Sequence, residues 1–197
     1  MTLYHRCLLA VAVLLAAGIF AGPPLVNWWQ NRPRDSGQGK VFKQNLLNAL
    51  ESAKEVRIVE HSDALDFEGT RYGDQRDPPE YDYGSKALTP SELQELMRQV
   101  RGLDPFHRVK PPDFCLFCPH HRFEIQGPSG RSVLEVCFQC EQISWQGSGG
   151  EEPDAFVPML SRFVASVGLS PKREWDVLAK EIAGERISVP EKAVENP

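Results

Sequence analysis

Four stretches of the chain carry apolar residues at the three- and four-residue spacing of a helix with one buried face. They cover residues 42–50, 89–102, 156–168 and 170–182. The second is the best defined, because the sequence from Thr89 to Glu92 is a capping box with proline at the first helical position. We therefore predict a domain with four or five helices, in which each of these four packs one apolar face against the rest of the domain.

An alternation of apolar and polar residues predicts β-strands in the middle of the chain. Residues 123–126 and 133–138 alternate on either side of a turn at 127–130, which makes them an antiparallel hairpin. Residues 143–145 can add a third strand, and residues 56–60 are a further short candidate. Helices around a small antiparallel sheet define an α+β domain. Five hairpin residues should be buried beneath the helix at 89–102: Phe123, Ile125, Leu134, Val136 and Phe138.

The stretch from residue 63 to residue 87 is rich in acidic residues, glycine and proline. A calcium-binding loop needs carboxylates at alternate positions and a glycine turn, and this spacing does not provide them. We therefore expect a solvated loop, in which aromatic side chains hold parts of the chain against the domain. These aromatic residues are Phe67, Tyr72, Tyr81 and Tyr83.

The first 29 residues are expected to form a membrane anchor. No residue in 7–31 is charged, and a pair of prolines ends the apolar run. Trp28 and Trp29 fall where an aromatic belt would meet the membrane surface. A cleaved signal peptide is the alternative, but cleavage after residue 21 or 22 would put Ile19 or Phe20 where a small residue is required.

Two arguments disagree about the side of the membrane on which the folded part lies. The positive-inside rule favours the cytoplasm, because Arg6 alone precedes the span and four basic residues come closely after it. A short tail before an apolar run is instead the layout of a signal anchor that exports the downstream domain. We expect a single-pass protein of the cell membrane with an extracytoplasmic domain, and the cytoplasmic orientation is the alternative.

The predicted organisation is an anchor over residues 1–29, a linker over 30–40, an α+β domain over 41–183 and a flexible tail over 184–197. A chain of 197 residues suits one domain of ordinary size plus such a targeting segment. Its net charge of −5 argues against a nucleic-acid partner, which requires a basic face. The expected partners are the membrane, through the N-terminal helix, and another protein.

The cysteines supply the most informative motif. Cys115 and Cys118 form one C-x2-C pair, Cys137 and Cys140 form another, and 18 residues separate the pairs. This is the spacing of a zinc ribbon, in which two tight turns point paired thiolates at one ion and the hairpin between them completes a tetrahedron. The alternatives are disulfides, Cys115–Cys118 or Cys137–Cys140, and thiols buried as small apolar side chains.

His120 and His121 come directly after the first cysteine pair. Either imidazole could replace a thiolate as a metal ligand or donate a hydrogen bond to a metal-bound sulfur. The candidate metal site therefore comprises these two histidines and the four paired cysteines, and zinc is the expected cofactor. No phosphate-binding glycine loop or hydrolase signature is present in the sequence, so no catalytic residue is identified.

The segment from Cys115 to Cys140 resembles a group of uncharacterised bacterial membrane or envelope proteins that share the signature C-x-F-x-P followed by C-F-x-C. The resemblance is close over residues 115–140 and loose over 56–146. No activity is known for that group, so the resemblance implies a cellular address and a shared site. Because the position of Cys118 varies in that group, the resemblance implies this set of ligands: Cys115, Cys137, Cys140 and either His120 or His121.

Three functions compete on these grounds. The first is a membrane-anchored domain with a structural zinc-type Cys/His site, an interaction or accessory module of the bacterial cell envelope. The second is an envelope thiol–disulfide protein that uses the C-x2-C pairs, although Cys137 falls in a strand and not at an activating helix N-terminus. The third is a hydrolase that uses His120 or His121, for which the sequence offers no nucleophile or acid partner. We expect the first, without enzymatic activity.

Overall fold

A computed structural model describes residues 35–67, 80–108 and 115–188. Within these residues the predicted α+β architecture is confirmed, with a five-stranded antiparallel sheet, four α-helices and a short 3-10 helix at Ala64–Phe67. The strands are β1 (Glu55–His61), β2 (Asp82–Ala87), β3 (His121–Gly127), β4 (Gly130–Cys137) and β5 (Gln142–Trp145). The helices are α1 (Gln38–Glu51), α2 (Pro90–Gly102), α3 (Phe156–Ser166) and α4 (Trp175–Ser188).

The sheet has the strand order β2-β1-β3-β4-β5, and all neighbouring strands are antiparallel. The predicted hairpin is confirmed as β3 and β4. Its turn closes on Gly130, whose φ of +115° favours glycine because a Cβ would be strained there. Since β1 pairs with the outer side of β3, the hairpin lies in the middle of the sheet. Both outer edges of the hairpin are therefore paired with another strand, β3 with β1 and β4 with β5.

One face of the sheet carries the hydrophobic core, which α1, α2 and α3 cover. The five hairpin residues expected to be buried are confirmed as core residues, each at most 8 % exposed. Phe42 of α1 packs edge-on against Trp145 and Phe156, with ring centroids 5.5 and 4.8 Å apart. Burying one large apolar side chain contributes about 1.5–3 kcal/mol. This core fixes the ends of β3 and β4 on which the candidate site is built.

The capping box of α2 is confirmed. The Thr89 hydroxyl accepts a hydrogen bond from the Glu92 N–H group at 3.3 Å, and the Glu92 carboxylate accepts one from the Thr89 N–H group at 2.7 Å. α3 ends before Gly168, which has a φ of +89°. These signals for the start and end of a helix are local, so the sequence alone reveals them.

The opposite face of the sheet is polar. Arg122 of β3 donates hydrogen bonds to Glu124 at 2.9 Å and to Asp82 at 2.8 Å, and it also pairs with Glu80. Alternation of buried and charged residues along β3 is typical of an antiparallel sheet with one solvated face. The charges on this face compensate one another locally.

Three boundaries differ from the sequence prediction. The linker predicted over 30–40 is ordered from Asp35, whose segment bonds to His107, and α1 begins at Gln38. Residues 82–87, expected in a solvated loop, form edge strand β2 against β1. α4 begins at Trp175, not at residue 170 as predicted, and it continues to Ser188, beyond the residue at which the tail was expected to begin. In the first two cases main-chain hydrogen bonds order a polar stretch, and a hydrophobic pattern does not report such bonds.

Some predictions fall outside the described residues. The anchor over 1–29 and Tyr72 are among them. Phe67 and Tyr81 do pack down as expected, and Phe67 is fully buried. In the part of the chain that the structure describes, no helix combines the length and the apolar character needed to cross a membrane.

Candidate functional site

The four paired cysteines meet at one end of the sheet. Cys115 lies before β3 and Cys140 lies in the turn after β4, and the hairpin brings their Cα atoms to 5.9 Å. That separation is within the range of a disulfide, and the structure joins these two residues by one. The two disulfide pairings considered from the sequence, Cys115–Cys118 and Cys137–Cys140, are therefore wrong. The disulfide links the two C-x2-C pairs because the antiparallel hairpin returns the chain to the end of the sheet from which β3 starts.

The other two cysteines are free thiols beside this disulfide. Cys118 is half-buried and Cys137 is only 2 % exposed. Burial raises the pKa of the Cys118 thiol, and the nearby carboxylates of Asp63 and Asp66 raise it further. Cys118 is thus protonated at neutral pH. A protonated thiol is a poor nucleophile, since the thiolate is the reactive form.

His120 lies in the segment that the disulfide ties down. Its Nε2 atom donates a hydrogen bond to Oδ1 of Asp66 at 2.9 Å, and both side chains are largely buried. The imidazole stacks on the indole of Trp175 with ring centroids 4.7 Å apart and planes 5° apart. The ring of Tyr83 also stacks on Trp175, with ring centroids 5.8 Å apart. The ring of His120 is therefore fixed in orientation and in tautomer by its neighbours.

His121 begins β3 and points to the other side of the strand, into the domain. It is 1 % exposed and packs edge-on against Phe138 and Trp175, at centroid distances of 4.8 and 5.5 Å. Its Nε2 atom lies 3.9 Å from Oε1 of Glu60, which is too far for a hydrogen bond. Neither ring nitrogen has a hydrogen-bond partner among the described residues.

Glu60 is a buried carboxylate next to His121 in the sheet register. It accepts hydrogen bonds from the Ser170 N–H group at 2.5 Å and from Arg173 at 2.9 Å. Burial alone would raise the pKa of Glu60, but the hydrogen bond from Ser170 and the positive charge of Arg173 hold it below its ordinary value. Burial also lowers the pKa of His121, so this site contains an ionised Glu60 and a neutral His121.

The predicted site residues thus divide into two groups. The four cysteines come together, and Asp66 lies close enough to influence Cys118 as well as binding His120. His121 is directed into the domain, where it meets aromatic rings and Glu60. Among the described residues, no group of three or more His, Cys, Asp or Glu side chains has the geometry to hold a metal ion.

Three residues of this site are not among the candidates that the sequence predicts: Glu60, Asp66 and Trp175. Glu60 carried a signal, because it continues the core-facing alternation of Val56 and Ile58 with a carboxylate. Asp66 lies in a stretch predicted to be a solvated loop, yet its side chain is only 7 % exposed.

No family model, curated protein or solved structure matches this chain.

Proposed function

We propose that the chain is a membrane-anchored accessory domain of the bacterial cell envelope, with residues 1–29 as the anchor and the folded domain on the oxidising side of the membrane. The observation that carries this proposal is the disulfide between Cys115 and Cys140. Structural disulfides persist in oxidising compartments and are rare in the cytosol. The resemblance of the cysteine segment to bacterial envelope proteins supports the same address.

In this proposal the disulfide has a structural role. It ties the segment that carries His120 to the turn after β4, and so holds the stacked His120–Trp175 pair in place. Redox catalysis would instead require a thiolate next to the disulfide. The raised pKa of Cys118 and the burial of Cys137 both oppose that role.

A structural zinc site is the second candidate, and it is favoured by the gathering of all four sulfur atoms at one end of the sheet. As the structure stands, Cys115 and Cys140 are bonded to each other and cannot serve as thiolate ligands. A zinc site would therefore require the reduced chain. It would fit a cytoplasmic domain, in which thiols stay reduced.

Trapping of thiols in living cells distinguishes the two proposals. The full chain with Cys7→Ser is expressed in a bacterium, the cells are quenched in acid, and free thiols are labelled with a maleimide of high mass. The disulfide proposal predicts two labels per chain before reduction, on Cys118 and Cys137, and four after reduction. Adding Cys118→Ser should remove one label and leave the disulfide intact.

Four labels without reduction would overturn the disulfide proposal. The zinc proposal would then be supported if the purified chain carries one zinc ion that a chelator removes together with folding stability. The same cells also test the anchor: the chain should sediment with the membrane fraction and keep its N-terminus. A soluble chain that begins near residue 22 would contradict the anchor.

A further inference from the structure

A polar pocket lies between the end of the hairpin and the start of α4. It has a volume of about 320 Å³, near the lower end of the size range of small-molecule sites. Six of its lining residues bear on its chemistry: His120, His121, Phe138, Lys172, Arg173 and Trp175. None of its described lining residues is acidic. No cysteine lines the pocket, although the disulfide holds the segment that carries His120.

His121 is the feature of this pocket that most needs a partner. It lines the pocket although 99 % of its surface is covered, and both its ring nitrogens lack a hydrogen bond within the described residues. A buried polar group without a hydrogen-bond partner destabilises the folded chain. The nearest carboxylate, Glu60, is already bonded to Ser170 and Arg173. An oxygen atom of a bound molecule would satisfy the imidazole once the ring turns one nitrogen toward the pocket, because both nitrogens are covered in the unbound chain.

The charge of the pocket comes from two adjacent basic residues. The ammonium group of Lys172 makes no ion pair with any described residue. Arg173 donates a hydrogen bond from one guanidinium nitrogen to Glu60. Because its side chain is 40 % exposed, the other N–H groups of the guanidinium stay available. Nearby Asp176 is paired with Lys180 and does not line the pocket. Lys172 and the remaining N–H groups of Arg173 therefore favour an anion, while the Glu60 carboxylate lies behind the lining, 3.9 Å from His121.

We propose that this pocket binds the phosphate group of a small molecule, with Lys172 and Arg173 as counter-charges and His121 as a hydrogen-bonding partner. A guanidinium fork and an ammonium point charge are the side chains that proteins commonly use for phosphate. The pocket also lies at the first residue of α4, where the helix dipole favours negative charge. Its small volume suits a compact phosphomonoester or inorganic phosphate.

Isothermal titration calorimetry on the full chain in nonionic detergent tests this proposal. Inorganic phosphate, glycerol phosphate, dihexanoyl phosphatidic acid and acetate are titrated separately at constant ionic strength. Saturable binding of at least one phosphate compound, with acetate bound at least tenfold more weakly, is the expected result. Binding of only the phosphatidic acid identifies a lipid headgroup as the source of the phosphate. Binding of the soluble compounds identifies a free phosphomonoester.

Two variants and a control separate this site from general attraction of anions. Lys172→Gln should weaken binding about tenfold, the equivalent of about 1.4 kcal/mol. His121→Phe should abolish binding without lowering the unfolding midpoint, because a phenyl ring suits the contacts with Phe138 and Trp175. Lys180→Gln is the matched control, since this exposed lysine lies on α4 outside the pocket.

The proposal is overturned if no phosphate compound binds the wild-type chain. It is also overturned if acetate binds as tightly as phosphate, or if Lys172→Gln and Lys180→Gln weaken binding equally. Should His121→Phe fail to fold, the comparison of the two lysine variants decides. A chain that keeps its disulfide but binds no phosphate would refute this inference alone.

Discussion

Removal of the disulfide should destabilise the domain by an amount that the length of its loop sets. Cys115 and Cys140 are 25 residues apart in the sequence. Closing a loop of that length lowers the entropy of the unfolded chain, which corresponds to about 3.5 kcal/mol near room temperature in the chain-entropy model. We expect Cys115→Ser and Cys140→Ser each to lower the free energy of unfolding by about this amount.

The assay is urea unfolding of the full chain in mild detergent, monitored by tryptophan fluorescence. Either serine variant removes the same cross-link, so the double variant should be no less stable than the single variants. Reductant should lower the stability of the wild type to the level of the variants and leave the variants unchanged. Cys118→Ser serves as the control and should keep its sensitivity to reductant.

Two results would refute this reasoning. One is a double variant that loses the sum of the two single effects, because that would mean independent roles for the two residues. The other is a wild type that chelator destabilises and reductant does not, because a metal site responds in that way.

Three further predictions concern the domain around the site. Phe138→Ala should cost about 3 kcal/mol in urea unfolding, since it empties a buried ring position beside His121; a loss below about 1 kcal/mol would contradict the packing. Thr89→Ala should cost about 1 kcal/mol by loss of the cap on α2, and Gln94→Ala, at an exposed position of the same helix outside the cap, is its control. Stability should also fall as the pH drops from about 7 to about 5.5. Burial lowers the folded-state pKa of His121 and His61, so the unfolded chain binds more protons there. Constant stability over this range would contradict that cause.

The sequence predicts those parts of the fold that depend on local or periodic signals. The capping box at Thr89 and the glycine turn at Gly130 are local, and the core face of the hairpin is set by strict alternation. β2 leaves little hydrophobic signal because most of its residues are polar or small and none is fully buried, and main-chain pairing with β1 orders it. An edge strand of this kind leaves no hydrophobic pattern.

The candidate site was predictable in its members but not in its connections. Spacing brought four cysteines together, yet four cysteines allow three pairings, and spacing does not choose among them. The choice of Cys115–Cys140 comes from the three-dimensional path of the hairpin. Asp66, which accepts a hydrogen bond from His120, and Glu60, which lies beside His121, are both more than 50 residues earlier in the sequence. Pairing of β1 with β3 brings them to the histidines.

Disulfide mapping by mass spectrometry is the most direct test of the central claim. Full-length chain is purified from membranes without reductant, its free thiols are alkylated, and it is digested without reduction. The account predicts one cross-linked species that joins the peptide of Cys115 to the peptide of Cys140, with Cys118 and Cys137 alkylated. Alkylation of all four cysteines, together with zinc bound to the undigested chain, would contradict it.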